Sequence, residues 1–520
     1  MIDTPHVISI AAENGALPGG KVGGVGDVIR DLPAALAAEG WRSTVLTPAY
    51  GKFHIDSGAA PAGSLHVLFR GAEHEVELFE LETAPGVTTL LFHHGLLAPG
   101  GPGKVYHDDG ADRPFATDAS TFAFFCAAAA VWVASQKQPP NVVHLHDWHA
   151  AWYLVMRDFT PLGEKLHGIR TVFTIHNLAY QGQRPFEGDE SSLVAWFPGM
   201  LYDPAVLADP NSGDSVNPMA YAIRVSDVVN TVSPTYAQEI CQPSDPSAGF
   251  YGGEGLESDL AAAGSRLRGI LNGCDYSRPT ARRLGWQRLI EQTRDTVEGW
   301  LAKSPDSTVH KVALRNLAGL PKRRPSTVFT SIGRVVDQKM RLFFQPLADG
   351  RSSLDHILDR IGKRGVLFLL GSGDSGYEQS LERLAEQHSN LIFLNGYAEE
   401  LGNSLYLAGD FFLMPSSFEP CGISQMLAMR AGQPCIVHGV GGLRDTVDDS
   451  VTGLVFDGSD GPLQQAGNFV ASVGRAVDML DEHPDGYRIM QDHAKAQRFD
   501  WASSAKAYIE TMYEYDIQGH

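Results

Sequence analysis

Short apolar runs recur along the chain, and many lead into a polar or glycine-bearing stretch followed by apolar positions at helical spacing. Val7 to Ala11 runs into Glu13 and Lys21-Val22-Gly23-Gly24-Val25-Gly26-Asp27, after which Val28, Ile29, Leu32, Ala35 and Leu36 share one helical face. This pattern predicts strand, glycine loop, helix. Further strands are predicted at Ser43 to Thr47, Val142 to Leu145, Thr171 to Ile175 and Val228 to Val232. Helical candidates at Phe122 to Ser135 and Trp148 to Arg157 alternate with them, and a hairpin is expected around Leu65 to Phe92.

The pattern then repeats more compactly. Val328 to Ile332, Val366 to Leu370, Leu391 to Leu394, Phe411 to Met414 and Cys435 to Val437 are apolar enough for a parallel sheet covered on both faces. The expected fold is α/β with two Rossmann-like lobes facing a substrate cleft. Residues 1–318 form the first lobe, 319–483 the second, and 484–520 a helical segment that packs back on the first. A hinge is expected at Leu320-Pro321-Lys322-Arg323-Arg324-Pro325, where two prolines interrupt regular structure. Gly249 to Ser307 carries no compact chemical motif and reads as an insertion or interlobe elaboration.

Composition narrows the function. The 520 residues are 43% hydrophobic, enough for two or three buried cores and incompatible with general disorder. Lys and Arg number 41 against 61 Asp and Glu, a formal net charge of -20, which disfavours broad attraction to nucleic acid or an anionic membrane. The start lacks a basic leader, and later apolar runs read as interrupted before membrane-spanning length, so a cytoplasmic enzyme is expected. Five widely spaced cysteines suit neither a disulfide scaffold nor a zinc site. No metal and no cofactor is expected, and oligomeric state is not legible.

Candidate chemistry gathers after predicted strands, where open α/β sheets bind ligands. Lys21 with Gly23, Gly24 and Gly26 offers a charge and backbone amides to a phosphate, although the spacing is neither a Walker A motif nor a dinucleotide fingerprint. Arg334 and Lys339 lie five residues apart in Gly333-Arg334-Val335-Val336-Asp337-Gln338-Lys339 and can serve one diphosphate. His144-Leu145-His146-Asp147-Trp148-His149 and His176-Asn177-Leu178-Ala179-Tyr180-Gln181-Gly182 offer a polar sugar site, with Trp148 or Tyr180 as a stacking surface. A structural histidine cluster is the alternative, and a metal centre a weaker one. Glu419, in Ser416-Ser417-Phe418-Glu419-Pro420-Cys421-Gly422, either meets a sugar or caps the next helix. Gly441, Gly442 and Leu443 supply a second glycine turn.

In these segments the chain resembles the bacterial glycogen synthase and starch synthase family, retaining glucosyltransferases of family 5 with the GT-B architecture. The matching stretches are Lys21 to Asp27, His146 to His149, His176 to Gly182, Gly333-Arg334 with Gln338-Lys339, Glu419 to Gly422, and Gly441 to Leu443 followed by Asp445-Thr446-Val447. The resemblance implies a nucleotide sugar, ADP-glucose, as donor and the nonreducing end of an α-1,4-glucan as acceptor. It implies that Lys21, Arg334 and Lys339 neutralise diphosphate and that Gly24 and Gly442 shape its pocket. Asp147, His176 and Glu419 would orient glucose, with Cys421 as a pocket wall. Front-face transfer is the favoured route, with double displacement on Glu419 as the alternative.

Several positions depart from the family wording. Val22 and Val25-Gly26 replace Thr and Leu-Ala, Ser417 stands where Arg is common, and His438-Gly439-Val440 replaces a stretch that often carries Arg and Thr. The usual Trp-Asn-Pro after Asp275-Tyr276 is missing as well. These departures leave open another nucleotide sugar, a small sugar or polyol acceptor, or a noncatalytic carbohydrate-binding homologue. A hydride-transfer enzyme is the outside alternative.

Overall fold

The computed structural model describes residues 4–276, 282–458 and 461–514. Two compact units emerge, the first from Met1–Pro243, Gly252–Asp275 and Asp500–His520, the second from Ser244–Tyr251 and Tyr276–Phe499.

The first unit is built on a nine-stranded sheet. Its strands are β1 (His6–Ile10), β2 (Arg42–Pro48), β3 (Ala60–Phe69), β4 (Ala72–Ala84), β5 (Val87–His93), β6 (Val142–His146), β7 (Arg170–Ile175), β8 (Val228–Thr231) and β9 (Leu267–Gly269), in the order β9-β8-β7-β6-β1-β2-β5-β4-β3. All pairings from β9 to β5 are parallel, and β3 and β4 add an antiparallel ribbon. Strands β1 and β6 are neighbours from which successive strands step outward in opposite directions. That is a topological switch point, and the loops beyond β1 and β6 open there. Helix α1 (Gly24–Ala38) follows β1 through the glycine loop and buries Val28, Ile29, Leu32 and Leu36.

The second unit has a six-stranded, wholly parallel sheet. Its strands are β10 (Thr327–Ile332), β11 (Gly365–Gly371), β12 (Leu391–Asn395), β13 (Phe411–Met414), β14 (Cys435–His438) and β15 (Gly453–Phe456), ordered β12-β11-β10-β13-β14-β15. Almost every residue of β10 to β14 is buried, as strands covered on both faces require. The switch point here lies between β10 and β13.

Three expectations are corrected. The chain does not change units at Leu320–Pro325. Helices Trp286–Lys303 and Thr308–Gly319 bury Leu289, Val297 and Leu317 against Val328, Val366 and Phe368, so the stretch after Tyr276 belongs to the second sheet. The final segment is also divided. Pro484–Ala496 stays with the second unit, whereas Trp501, Tyr508 and Met512 pack with Val7, Val28 and Val172 of the first. Residues 515–520 of that segment, like 277–281 after Tyr276, lie outside the described residues. Lastly, helix α2 (Ala116–Ala134) has the length and apolar composition of a membrane span, yet 78% of that stretch is buried inside the protein. It packs on helix α3 (Asp147–Phe159) and on β3.

Candidate active site

In the second unit the loop after β10 carries Arg334 and leads into helix α4 (Asp337–Phe344), which bears Lys339. The loop lies close against the backbone after β11. Val335 N–H donates to Ser372 O at 2.9 Å and Asp374 N–H to Val335 O at 2.6 Å. A Cβ on Gly371 would stand 1.9 Å from Gly333 O, and one on Gly373 2.3 Å from Val335 O. These two glycines therefore permit the approach, and Arg334 emerges exposed, its guanidinium with no hydrogen bond or ion pair among the described residues.

Beyond β13 the chain turns through Ser416 to Glu419. Lys339 Nζ donates to Glu419 Oε2 at 2.9 Å, and Ser416 Oγ donates to the same oxygen at 2.9 Å. Glu419 Oε1 accepts nothing among the described residues. The turn is held from two sides. Gln338 Nε2 donates to Phe418 O at 2.8 Å, Ser417 N–H donates to Gln338 O at 2.8 Å, and the buried His438 ring bonds through Nδ1 to Ser416 O at 2.9 Å. Burial pulls the His438 imidazole down to about 4, so Nδ1 is the N–H donor of a neutral ring.

The helix-cap alternative for Glu419 is overturned. Helix α5 (Ser424–Arg430) starts at an N-cap of Ile423 and takes no side-chain cap, so Glu419 faces Lys339 instead. Gly442 donates its N–H to Glu419 O at 3.0 Å, and a Cβ there would meet Cys421 O at 2.3 Å. Its amide and its missing side chain thus serve the contact between two turns rather than a phosphate. Leu443 is fully buried in the core with Met414 and Val437, which corrects its reading as a ligand contact. Cys421 is buried beside the turn, Gly422 takes a left-handed φ of 75°, and Gly441 a φ of 42°. Of the two predicted cations, Lys339 is engaged by Glu419 through one N–H, while the Arg334 guanidinium has no partner among the described residues.

In the first unit the glycine loop is already occupied from within. Glu13, buried just past β1, accepts N–H bonds at Oε2 from Val22 (2.8 Å) and Gly23 (2.6 Å), and the Tyr106 hydroxyl donates to Oε1 at 2.8 Å. Gly23 is the N-cap of α1, so a carboxylate occupies the helix end that the sequence reading offered to phosphate. Lys21 is half exposed and pairs with Asp27 Oδ2 at 2.7 Å. Gly24 has open space where a Cβ would stand. Sequence reasoning missed Glu13 as an organiser, although a lone carboxylate directly after an apolar strand was its signal. Tyr106, 93 residues distant, had none.

Asp147 begins α3 with a left-handed φ of 59°. Its Oδ1 accepts the backbone N–H groups of His176 at 2.7 Å and Asn177 at 3.4 Å and so fixes the turn after β7, while Oδ2 accepts nothing among the described residues. Burial pushes this carboxyl up to about 7, against the pull of those two donors. His176 is largely buried, 9% exposed, with Nε2 3.0 Å from His146 Nδ1. Burial pulls His176 down to about 3. His144 bonds through Nδ1 to Tyr513 Oη at 2.7 Å and through Nε2 to Thr174 Oγ1 at 2.6 Å, and His149 is packed among Tyr106, Phe122 and Trp148. Trp148 is buried, with Gly182 so close that a Cβ there would meet its ring at 2.1 Å, so of the two candidate stacking residues Tyr180 is the exposed one. Among the described residues no three His, Cys, Asp or Glu side chains gather as a metal site.

Two parallel-sheet units, each with charged and glycine-bearing turns at its switch point, are those of a GT-B glycosyltransferase. Residues 6–262 match the starch synthase catalytic domain, and 344–471 match the glycosyl transferases group 1 domain. The glycogen synthase of Desulfitobacterium hafniense is 32% identical over 505 residues, covering 95% of this chain and 96% of the relative. That of Gloeobacter violaceus is 32% identical over 513 residues, with 97% of each covered. The catalytic domain of Starch Synthase IV from Arabidopsis thaliana, bound to ADP and acarbose, superposes with a TM-score of 0.76 at 27% identity, covering 98% of this chain and 99% of that one. Sucrose-phosphate synthase from Thermosynechococcus elongatus shares the fold, with a TM-score of 0.56 at 18% identity and coverage of 97% and 98%. The chain belongs to the glycogen synthase family of glucosyltransferases.

Proposed function

We propose that the protein transfers glucose from ADP-glucose to the nonreducing end of an α-1,4-glucan with retention at the anomeric carbon. The observation that carries this reading is Glu419, whose Oε2 is saturated by Lys339 and Ser416 while Oε1 stays open at a sheet switch point. A carboxylate so held is oriented and able to meet a sugar hydroxyl. Lys339 keeps two further N–H donors for a diphosphate oxygen, and Arg334 is an uncommitted cation in the same unit. The starch synthase relative bound to ADP and acarbose supports both the donor and the class of acceptor.

In this reading Lys339 and Arg334 stabilise charge as the diphosphate departs, and Glu419 orients glucose. His176 meets a sugar hydroxyl, and Lys21 adds positive charge. The acceptor hydroxyl passes its proton to a phosphate oxygen on the face the diphosphate leaves. The nucleotide sugar is a substrate and no cofactor or metal takes part. The protein acts in the cytoplasm, on small molecules and glucan rather than nucleic acid or membrane. Incubation with ADP-glucose or UDP-glucose, each with maltooligosaccharides or glycogen, tests this through nucleoside diphosphate release and glycan mass. Lengthened chains with ADP-glucose preferred are expected. Donor turnover without lengthening would redirect the acceptor to a smaller sugar or polyol.

A further inference from the structure

The His146 ring makes one hydrogen bond among the described residues, and it is to His176. Its Nδ1 lies 3.0 Å from His176 Nε2, whereas its Nε2 is buried with no hydrogen-bond partner among the described residues. Two imidazoles joined by one hydrogen bond share a single proton between the facing nitrogens. Either His176 donates and His146 keeps its own proton on the buried Nε2, or His146 donates and His176 keeps its proton on Nδ1.

The two arrangements differ in what is left unpaired. The first strands a buried N–H, the second only a lone pair, and an orphaned buried N–H is the rarer and more costly of the two. Double protonation is excluded by the surroundings. His146 is 1% exposed, its ring lies 4.1 Å from the His144 ring, and neither of its nitrogens meets a carboxylate among the described residues. His144 has both nitrogens engaged, by Tyr513 and Thr174, so it offers His146 nothing.

We propose that His146 is a positioning residue that sets the tautomer of His176, donating from Nδ1–H to His176 Nε2 and so presenting His176 Nδ1–H as a hydrogen-bond donor to a substrate hydroxyl. This rests on the proposed role of His176 in holding a sugar, and it adds which nitrogen acts and with which polarity. The nearby Asp147 controls the backbone at His176, and His146 controls its ring. Both act through His176 and neither needs to touch the sugar.

Nitrogen-15 chemical shifts of selectively labelled histidine in the full-length protein read the tautomer directly, with the His176 signal assigned by its disappearance in His176→Gln. The expected pattern is a protonated Nδ1 and a bare Nε2 at neutral pH, and a protonated Nε2 would overturn the proposal. As a second measurement, His146→Asn keeps an N–H donor close to the position of Nδ1, whereas His146→Leu removes it. The Asn variant is expected to retain kcat/KM, and the Leu variant to lose roughly tenfold, the size of one hydrogen bond. Equal losses in both variants would mean that packing alone matters and would overturn the proposal. Unchanged transfer by His176→Gln would instead sink the sugar-holding role, while the shifts would still report the tautomer.

Discussion

At the scale of single residues, the site is organised by side chains that saturate one another and leave one atom open. Glu419 and Lys339 form a largely buried pair at 2.9 Å, with side-chain exposures of 9% and 18%. Removing the cation strands a buried carboxylate, whereas neutralising the carboxylate leaves an amide that still accepts from Lys339. Lys339→Ala is therefore expected to weaken donor binding and turnover together and to cost about 2 kcal/mol of stability. Glu419→Gln is expected to lower kcat far more than donor affinity, with a nearly unchanged melting temperature. Steady-state kinetics with calorimetry on both variants checks this, and near-normal kcat at saturating donor in Glu419→Gln would remove Glu419 from the chemistry.

Asp147 carries a second prediction at this scale. Its folded pKa of about 7 stands above the ordinary carboxyl value of 3.8, so the folded state holds a proton that the unfolded chain releases. The resulting contribution is fully present below about 3.8 and is lost as pH rises through about 7. Asp147→Asn keeps an acceptor for the His176 amide and tolerates the left-handed φ, so it should match the parent at low pH and exceed it in stability above neutrality. Denaturation at several pH values checks this, and parallel curves for the two proteins would refute it.

At the scale of elements, glycines sort into those that geometry demands and those it does not. Gly442→Ala pushes a methyl to 2.3 Å from Cys421 O and separates the two turns around Glu419, while Gly24→Ala enters open space. The first is expected to lower activity sharply and stability by about 1–3 kcal/mol, and the second to change stability by less than about 1 kcal/mol. Melting curves and donor turnover of both distinguish this from a loop in which every glycine matters equally. Strands β1, β6, β7, β8 and β10 to β14 were legible because continuous apolar runs announce strands covered on both faces. The turns following several of them were legible as candidate sites because charged residues and glycines gather directly after those runs. Their internal wiring was not, since Glu13 with Tyr106 and Ser416 with His438 meet only after folding. Helix Trp286–Lys303 hid its place because its buried face is a narrow stripe of Leu289, Ile290, Thr293 and Val297 on a polar helix.

At the scale of the whole molecule, the first unit is completed by the end of the chain. Trp501 lies so close to Gly273 that a Cβ there would stand 2.5 Å from the indole. Tyr508 Oη accepts from Asn230 Nδ2 at 2.8 Å, and Arg170 Nε donates to Met512 O at 2.5 Å. Together with Ala505, Ile509 and Tyr513, these residues cover Val7, Val142 and Val172 of the parallel sheet and Val28 and Leu32 of α1, which would otherwise face water. A sheet of that kind is stable only when both faces are covered. The closing segment is therefore part of the core, and its removal differs in kind from trimming a tail. Trp501→Ala is expected to cost about 3–5 kcal/mol, a large share of a typical total of about 5–15 kcal/mol. A chain ending at residue 499 is expected to bind a hydrophobic dye and to lose its cooperative melting transition for the first unit. A truncated chain that melts like the parent and binds no dye would show that α1 and the sheet cover themselves, and would reduce the closing segment to an ornament.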